Sequence, residues 1–298
     1  MLRIELLNLT LKILRIIQAW IYSRIIRSGR VLSDKDQISR IVLSTNYNMH
    51  QEPNERHYLD EYFYHIEKSL PTNDEFQTLS ILDLGCGQGR FIERFLKLYP
   101  SANITGIDIS EDAIRYANEL FVKNRNVEFI VGNYSSYLDS FPNYSFDILV
   151  FTEVSFFFPE WKNDFKKVLS KLKPNGRIIF STRSSYFNVL SQISTGNFMD
   201  ALRISTTEEG NISLADAMQF SWNSSKELIE FFQNQKTRIL SISGIGVCSG
   251  IKGDPLAKIA VPSELNIYDR NILKNIENTF STLIPDAGRY ILVIASKS

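Results

Sequence analysis

From about residue 79 onward the chain alternates between two hydrophobic patterns. Short apolar runs closed by glycine or turn residues give way to longer stretches with apolar positions every three or four residues. The first pattern reads as buried strand and the second as helix. Residues 79–84 form such a run, and Phe91, Phe95 and Leu98 then recur at helical spacing. The alternation continues with a strand at Asn103–Asp108, a helix over 111–123, strands at Val127–Val131 and Phe146–Phe151, and a helix over 161–172. A Lys173-Pro174-Asn175-Gly176 turn precedes a fifth strand at 177–181. Ser224-Ser225-Lys226-Glu227 reads as a capping box, which satisfies two orphan main-chain donors and opens a helix over 226–233. Strands at 237–243 and 289–296 follow as the sixth and seventh. Strands alternating with helices imply an α/β fold, a doubly wound and mostly parallel sheet covered on both faces.

The beginning of the chain is patterned differently. In residues 1–32, Leu, Ile and Trp crowd most of the helical circumference, while Glu5, Asn8, Lys12 and Arg15 fall on one narrow stripe and Arg24, Arg27 and Arg30 follow. An amphipathic helix is expected there. Lys12, Arg15 and Gln18 interrupt the run before the ~20 apolar residues that a bilayer needs. A signal peptide would have an unbroken apolar centre, which is lacking. A broad apolar face with cationic ends suits a helix lying in a membrane interface. Packing on the domain or on a second subunit accounts for the same pattern, and both readings stand at this point.

Residues 33–78 hold all three histidines, His50, His57 and His65, among Tyr47, Tyr58, Tyr62, Phe63 and Tyr64. Pro53 sits well as an early helical residue, so a helix over 52–70 is predicted. On it Tyr58, Tyr62 and Ile66 share one face, and His57, Glu61 and Tyr64 share the next. The histidines show no metal-ligand spacing and no cysteine or paired carboxylate partner, so no metal site is expected.

Composition narrows the function classes. The 298 residues are 44% hydrophobic with a formal net charge of +0, ordinary for one large domain with additions. A neutral balance without a basic block argues against nucleic acid as the main partner. Two cysteines, Cys86 and Cys248, cannot build a disulfide framework, which suits a reducing, cytoplasmic setting.

The chemistry concentrates in residues 81–110. Ile81-Leu82-Asp83-Leu84 runs into Gly85-Cys86-Gly87-Gln88-Gly89-Arg90, and Gly106-Ile107-Asp108-Ile109-Ser110 follows. Glycines at 85, 87 and 89 let the main chain turn tightly and approach a ligand. Asp108, ending the next strand, can accept both hydroxyl protons of a ribose. Dinucleotide folds place the third glycine five positions after the first, whereas here it comes one position early. Asp83, two residues before the first glycine, would repel phosphates and suits a ligand with an ammonium group and a positive centre.

With these motifs in register the chain resembles class I S-adenosylmethionine-dependent methyltransferases of the small-molecule type. The resemblance is motif-specific from about 79 to 182. It implies a Rossmann-like sheet of seven strands with an antiparallel last strand, and S-adenosylmethionine held by Asp83, Gly85, Cys86, Gly87, Gly89 and Asp108. It also implies a methyltransferase domain over 33–298, in which 33–78 caps the cofactor; Tyr47 and Tyr58 are the candidates for an aromatic that covers it, and each could equally pack in the core. Where the family usually has an acid for the adenine amino group this chain has Asn133, whose amide oxygen can accept the same bond without charge assistance. Ile109 and Tyr134 could sandwich the adenine or belong to the core. An antiparallel last strand would put the connections 183–223 and 244–288 above the cofactor as substrate-shaping lids. Ile272, Ile276 and Phe280 predict a helix in the second.

The acceptor expected is a small or lipid-like molecule, and Phe156, Phe157 and Phe158 read either as its apolar wall or as a simple core turn. A sulfonium donor is already activated, so in-line positioning is the main task, worth about 7–11 kcal/mol. A general base adds roughly 10²–10⁴-fold and is needed only for a weakly acidic hydroxyl. Glu153, His50 and His57 are the candidates for it. Two other classes stay open: a nicotinamide-dependent oxidoreductase, since Asp108 lies about 20 residues after the glycines, and a cofactor-binding scaffold without catalysis.

Overall fold

The computed structural model describes residues 49–70, 78–158, 161–211, 219–251 and 254–297. The helix expected over 1–32 and the candidate Tyr47 lie outside the described residues. The strands are β1 (Ser80–Leu84), β2 (Asn103–Asp108), β3 (Val127–Val131), β4 (Phe146–Phe151), β5 (Leu172–Arg183), β6 (Glu209–Asn211), β7 (Gln219–Ser221), β8 (Thr237–Ile245) and β9 (Tyr290–Lys297). Seven of them form one sheet in the order β3-β2-β1-β4-β5-β9-β8, and β6 with β7 makes a separate ribbon. Neighbours from β3 through β5 pair in parallel, while β9 runs antiparallel between β5 and β8.

Period-two alternation sorts each strand between two cores. Ile81, Ile148, Ile179, Leu292 and Ile294 face one side, where α1 (Pro53–Ser69), α2 (Arg90–Leu98) and α3 (Glu111–Leu120) bury Tyr62, Phe63, Phe95 and Ala117. Leu82, Leu84, Leu149, Phe151, Phe180 and Val293 face the other, against α4 (Tyr134–Tyr137), α5 (Trp161–Lys171) and the later helix α8 (Ser225–Asn234). Cover on both faces is why these strands read as near-continuous apolar runs. The capping box on α8 is formed as expected, with Ser224 and Glu227 bonding each other's main-chain N–H.

Two local expectations change. The predicted 173–176 turn lies within β5. Residue 146 of β4 faces 172 and residue 148 faces 177, so the extra residues bulge out of the ladder. Asn175 takes the left-handed conformation at φ 61°, which lets a turn-rich sequence pass inside a strand. The connection 183–223 contributes α6 (Ser185–Ser194), α7 (Phe198–Ile204) and the β6–β7 ribbon, and 244–288 contributes α9 (Ile267–Phe280). Ile272, Ile276 and Phe280 do predict that helix, yet they lie on its half-exposed side, while Leu273 and Glu277 face inward. Among the described residues no helix is long and apolar enough to cross a membrane.

Candidate active site

The topology places the carboxyl ends of β1 to β5 and the first residue of β9 along one edge, Arg183 pairing with Tyr290. A cleft of about 1200 Å³ opens there, its solvent-filled mouth included. Such crevices outside the strand ends are where open α/β sheets bind ligands.

The glycine turn is its floor. Gly85 and Cys86 N–H groups donate to the Ile107 carbonyl at 2.7 and 3.0 Å, docking the turn on the end of β2. Gly85, Gly87 and Gly89 all have positive φ, but only one of them faces free space. A Cβ on Gly85 would come within 2.1 Å of Val154, and one on Gly89 within 2.8 Å of Phe121. One on Gly87 would meet only the Met49 sulfur, at 3.7 Å. Packing therefore explains two of the three glycines, and Gly87 is the one that leaves the main chain bare toward the cleft. Cys86 lines the cleft as a thiol, its pKa raised by burial.

Two acids flank the turn. Asp108 accepts the Gly87 N–H through Oδ2 at 2.7 Å and the Ser110 N–H through Oδ1 at 2.8 Å. Burial raises its pKa against those main-chain donors, so the carboxylate is held rigidly at the cleft with lone pairs to spare. Asp83 is 2% exposed, and its Oδ2 has no hydrogen-bond partner. Burial, reinforced by the nearby charge of Asp108, pushes its pKa up to about 8. An orphaned buried carboxylate oxygen at a ligand cleft costs about 1–3 kcal/mol unless something fills the gap.

Further along, Ile109, Asn133 and Tyr134 also line the cleft. Asn133 caps α4 by accepting the Ser135 N–H at 3.0 Å, which fixes its amide and leaves the oxygen a second lone pair. Tyr134 rests on Phe151 and Phe158 with centroids 5.0 and 5.4 Å away, so core packing sets its ring and one side reaches the cleft. On the other side Glu153, Val154, Phe156, Phe157, Phe158, Arg183 and Tyr290 complete the wall. The three phenylalanines line the cleft, and Phe156 also packs into the core. Glu153 adopts a left-handed conformation, φ 59°, with its N–H on the Ser181 hydroxyl at 2.9 Å. A non-glycine residue held there carries strain of order 1 kcal/mol, a feature that clusters at functional sites.

Arg90 was not singled out in the sequence. It is 6% exposed and bridges Glu55 Oε2 of α1 at 2.5 Å and Glu153 Oε1 at 2.6 Å. Both carboxylates hold its pKa up despite burial. The signal was available: a cation in the first turn of a helix opposes the helix dipole and calls for acids nearby.

The histidine expectations are corrected. His50 does not line the cleft; its ring bonds Glu93 Oε2 at 2.9 Å and the Gln88 carbonyl at 2.8 Å, pinning residues 49–51 onto the glycine turn. Met49, held by its N–H on Gln88 Oε1 at 3.0 Å, does line it. His57 is 3% exposed and turned away, against Glu61 Oε1 at 2.9 Å and Glu277 Oε2 at 2.6 Å. A paired carboxylate environment does exist for His57, since helical spacing supplies Glu61 and α9 supplies Glu277. Tyr58 is buried beside it, its hydroxyl facing the Ser249 carbonyl at 3.5 Å, and does not cover the cleft. The cleft takes Arg183 from the first expected lid and no described residue from 244–288. That second segment is stitched to α1 instead, Gly246 N–H to Glu61 and Ser263 N–H to Asn54, both at 2.8 Å.

S-Adenosylmethionine fits these residues. Its ammonium group matches the orphaned Asp83 oxygen, its ribose the fixed Asp108 carboxylate, its adenine amino group Asn133, and the bare Gly87 leaves room for its path. Comparisons with known proteins agree. A family model described as a methyltransferase domain matches residues 75–236, more than half of the chain. A malonyl-[acyl-carrier protein] O-methyltransferase of Ilyobacter polytropus is 32% identical over 147 residues, 47% of this chain and 52% of that protein. The chain spans about half the length of the curated relatives it matches. An S-adenosylmethionine-dependent methyltransferase from Mesorhizobium loti superposes with a TM-score of 0.54 at 18% identity, over 80% of this chain and all of that one. A Burkholderia thailandensis 1,6-didemethyltoxoflavin-N1-methyltransferase with bound S-adenosylhomocysteine gives 0.51 at 15% identity, over 93% of this chain and 89% of that one. These last two show the shared fold, and with the family match and the cleft they lead to one conclusion: the chain belongs to the class I S-adenosylmethionine-dependent methyltransferases.

Proposed function

We propose that the protein transfers a methyl group to a small or lipid-like acceptor and does so chiefly by holding the two reactants in line. The observation that carries this reading is the order of the cleft along the sheet. Asn133, Asp108 and Asp83 stand over β3, β2 and β1, while Glu153, Arg183 and Tyr290 stand over β4, β5 and β9. A ligand on the first three strands leaves the space over the next three for an acceptor walled by Phe156, Phe157 and Phe158.

When bound, S-adenosylmethionine supplies a methyl group already activated on a sulfonium centre. The chain's own residues then bind and orient. Asp83 and Asp108 fix the donor side. The Glu55–Arg90–Glu153 bridge ties the cap helix to the end of β4 and sets the boundary between the two halves. The phenylalanine wall keeps water from the transfer space. Alignment of this kind can supply about 7–11 kcal/mol of barrier reduction. The acyl-carrier-linked substrate in the name of the Ilyobacter relative lies within the proposed acceptor class. Incubation of the protein with donor labelled in its methyl group and a cell extract, followed by mass analysis, tests the reading. Label in a compound of low molecular mass, or in an acyl group released from its carrier by thioester cleavage, is expected; label confined to amino-acid side chains or nucleic acid would overturn it.

A further inference from the structure

Methyl transfer leaves one group of titratable side chains unused, behind the cleft where α1 meets α9. His57 and Glu61 stand one turn apart on α1, and α9 brings Glu277 to them across 220 positions of sequence. All three are buried, at 3, 2 and 0% exposure. Their ligating atoms lie within 4.8 Å of one another. Spacing along the chain hides such a set, which is why no metal site is expected from the sequence.

Each carboxylate is divided in the same way. One oxygen is anchored by the fold: Glu61 Oε2 accepts the Gly246 N–H at 2.8 Å, and Glu277 Oε1 accepts the Ser249 hydroxyl at 2.8 Å and the Cys248 N–H at 3.1 Å. The other oxygen converges on a single atom, His57 Nε2, which lies 2.9 Å from Glu61 Oε1 and 2.6 Å from Glu277 Oε2. A ring nitrogen carries at most one hydrogen. It serves Glu277, and the buried Glu61 Oε1 is left without a hydrogen bond. Burial and repulsion from Glu277 push the Glu61 pKa up to about 8, so this corner is short of positive charge.

A divalent cation among the three atoms serves all of them at once. Two carboxylates and a neutral imidazole cancel its charge, so no net charge is buried. Carboxylates that face an ion with one oxygen and are oriented by hydrogen bonds on the other are how proteins fix metal ligands. One nitrogen and two oxygens suit a borderline ion of low coordination number, whereas Ca2+ takes six or more oxygens and Mg2+ keeps its waters.

We propose that His57, Glu61 and Glu277 bind a divalent transition-metal ion of the zinc class, which staples α9 to the cap helix. The ion takes the place of the proton on His57 Nε2, and of any proton on Glu61; these protons leave to water. Zinc ligands stand roughly 3.3–3.5 Å apart, so the two oxygens retreat by about half an ångström from the ring nitrogen. None of the three residues lines the cleft, so the inference stands apart from the methyl-transfer reading.

The test uses the untagged full chain as wild type, Glu61→Gln and His57→Gln. Each is stripped with a chelator, dialysed against Zn2+ or Mg2+, and measured for bound metal and Tm. The wild type is expected to hold about one zinc per chain, and zinc at about a hundredfold excess over Kd to raise Tm by about 5–10 °C. Mg2+ should leave Tm unchanged. Both variants should bind zinc at least about tenfold more weakly and keep the S-adenosylhomocysteine affinity of wild type. X-ray absorption at the zinc edge, which needs no variant to fold, should show one imidazole with oxygen ligands and no sulfur. No bound zinc in wild type, equal binding in either folded variant, or an equal response to Mg2+ overturns the inference. Sulfur around the ion would move it to a cysteine and also overturns it. Each of these failures leaves methyl transfer standing.

Discussion

Two buried carboxylates, Asp83 in the cleft and Glu61 behind it on α1, meet the same penalty in opposite ways. Both are 2% exposed, and burial raises the pKa of each. Around Glu61 the protein supplies a donor and a charge: the Gly246 N–H bonds one oxygen at 2.8 Å, and the other, itself without a hydrogen bond, lies 2.9 Å from the His57 ring nitrogen as an ion pair. Glu277 closes the group, its own second oxygen taking the Ser249 hydroxyl at 2.8 Å and the Cys248 N–H at 3.1 Å. Around Asp83 one oxygen is left with no donor, and the void it faces is the cleft. A buried acid whose bare oxygen is faced by a histidine of its own chain is a strut between segments. A buried acid left incomplete at a cavity is one half of a binding site.

The sharpest way to break this comparison is to cut the strut. Glu277→Ala leaves the His57 charge short of a partner and should destabilise the fold by about 3–5 kcal/mol, read from urea midpoints. S-Adenosylhomocysteine affinity should stay within about twofold, since no cleft residue changes. A large loss of affinity would show that the two regions are coupled. Asp83→Asn should do the reverse. It removes the acid that burial penalises, so stability holds or rises, while affinity for S-adenosylhomocysteine falls about tenfold to a hundredfold with the lost charge-assisted bond.

Titration separates the regions further, with smaller effects. Burial opposes the charge of His57, but hydrogen bonds to Glu277 and Glu61 outweigh it and raise its pKa from 6.5 to about 9. The folded protein holds that proton more tightly than the unfolded chain does. Its stabilisation is therefore complete below pH 6.5 and lost as pH rises through 9. Glu61, raised from 4.5 to about 8 by burial and by repulsion from Glu277, adds a fall of its own that starts lower, between pH 4.5 and 8. Urea midpoints should drop from pH 6.5 to 9 in wild type and less so in His57→Gln. Ligand binding should show the opposite slope: with the Asp83 pKa near 8, affinity for S-adenosylhomocysteine should weaken as pH falls from 8 to 6. The slope should vanish in Asp83→Asn, as isothermal titrations at matched ionic strength would reveal.

How much of each region the sequence made legible follows from the range of its signals. The donor half is written locally: Asp83, the glycine turn and Asp108 lie within 26 positions, and β1 with β2 brings them together by one parallel pairing. The strut joins His57 to Glu277 across 220 positions, and nothing in either neighbourhood names the other. His57 consequently read as a candidate base although it is sealed away. Arg183 and Tyr290 share an edge only because β9 runs antiparallel beside β5, a pairing that hydrophobic pattern alone does not give. Arg90 could have been found from its place at a helix start, and Gly85 and Gly89 could not have been assigned to packing without the positions of Val154 and Phe121.

The account depends on the cleft being the seat of an S-adenosyl ligand held by Asp108. Calorimetric titration of S-adenosylhomocysteine into wild type and Asp108→Ala tests that directly. Saturable 1:1 binding to wild type is predicted, with affinity at least about a hundredfold lower in the variant from loss of two charge-assisted bonds to the ribose. Equal affinity in the two proteins, or none in wild type, would contradict it.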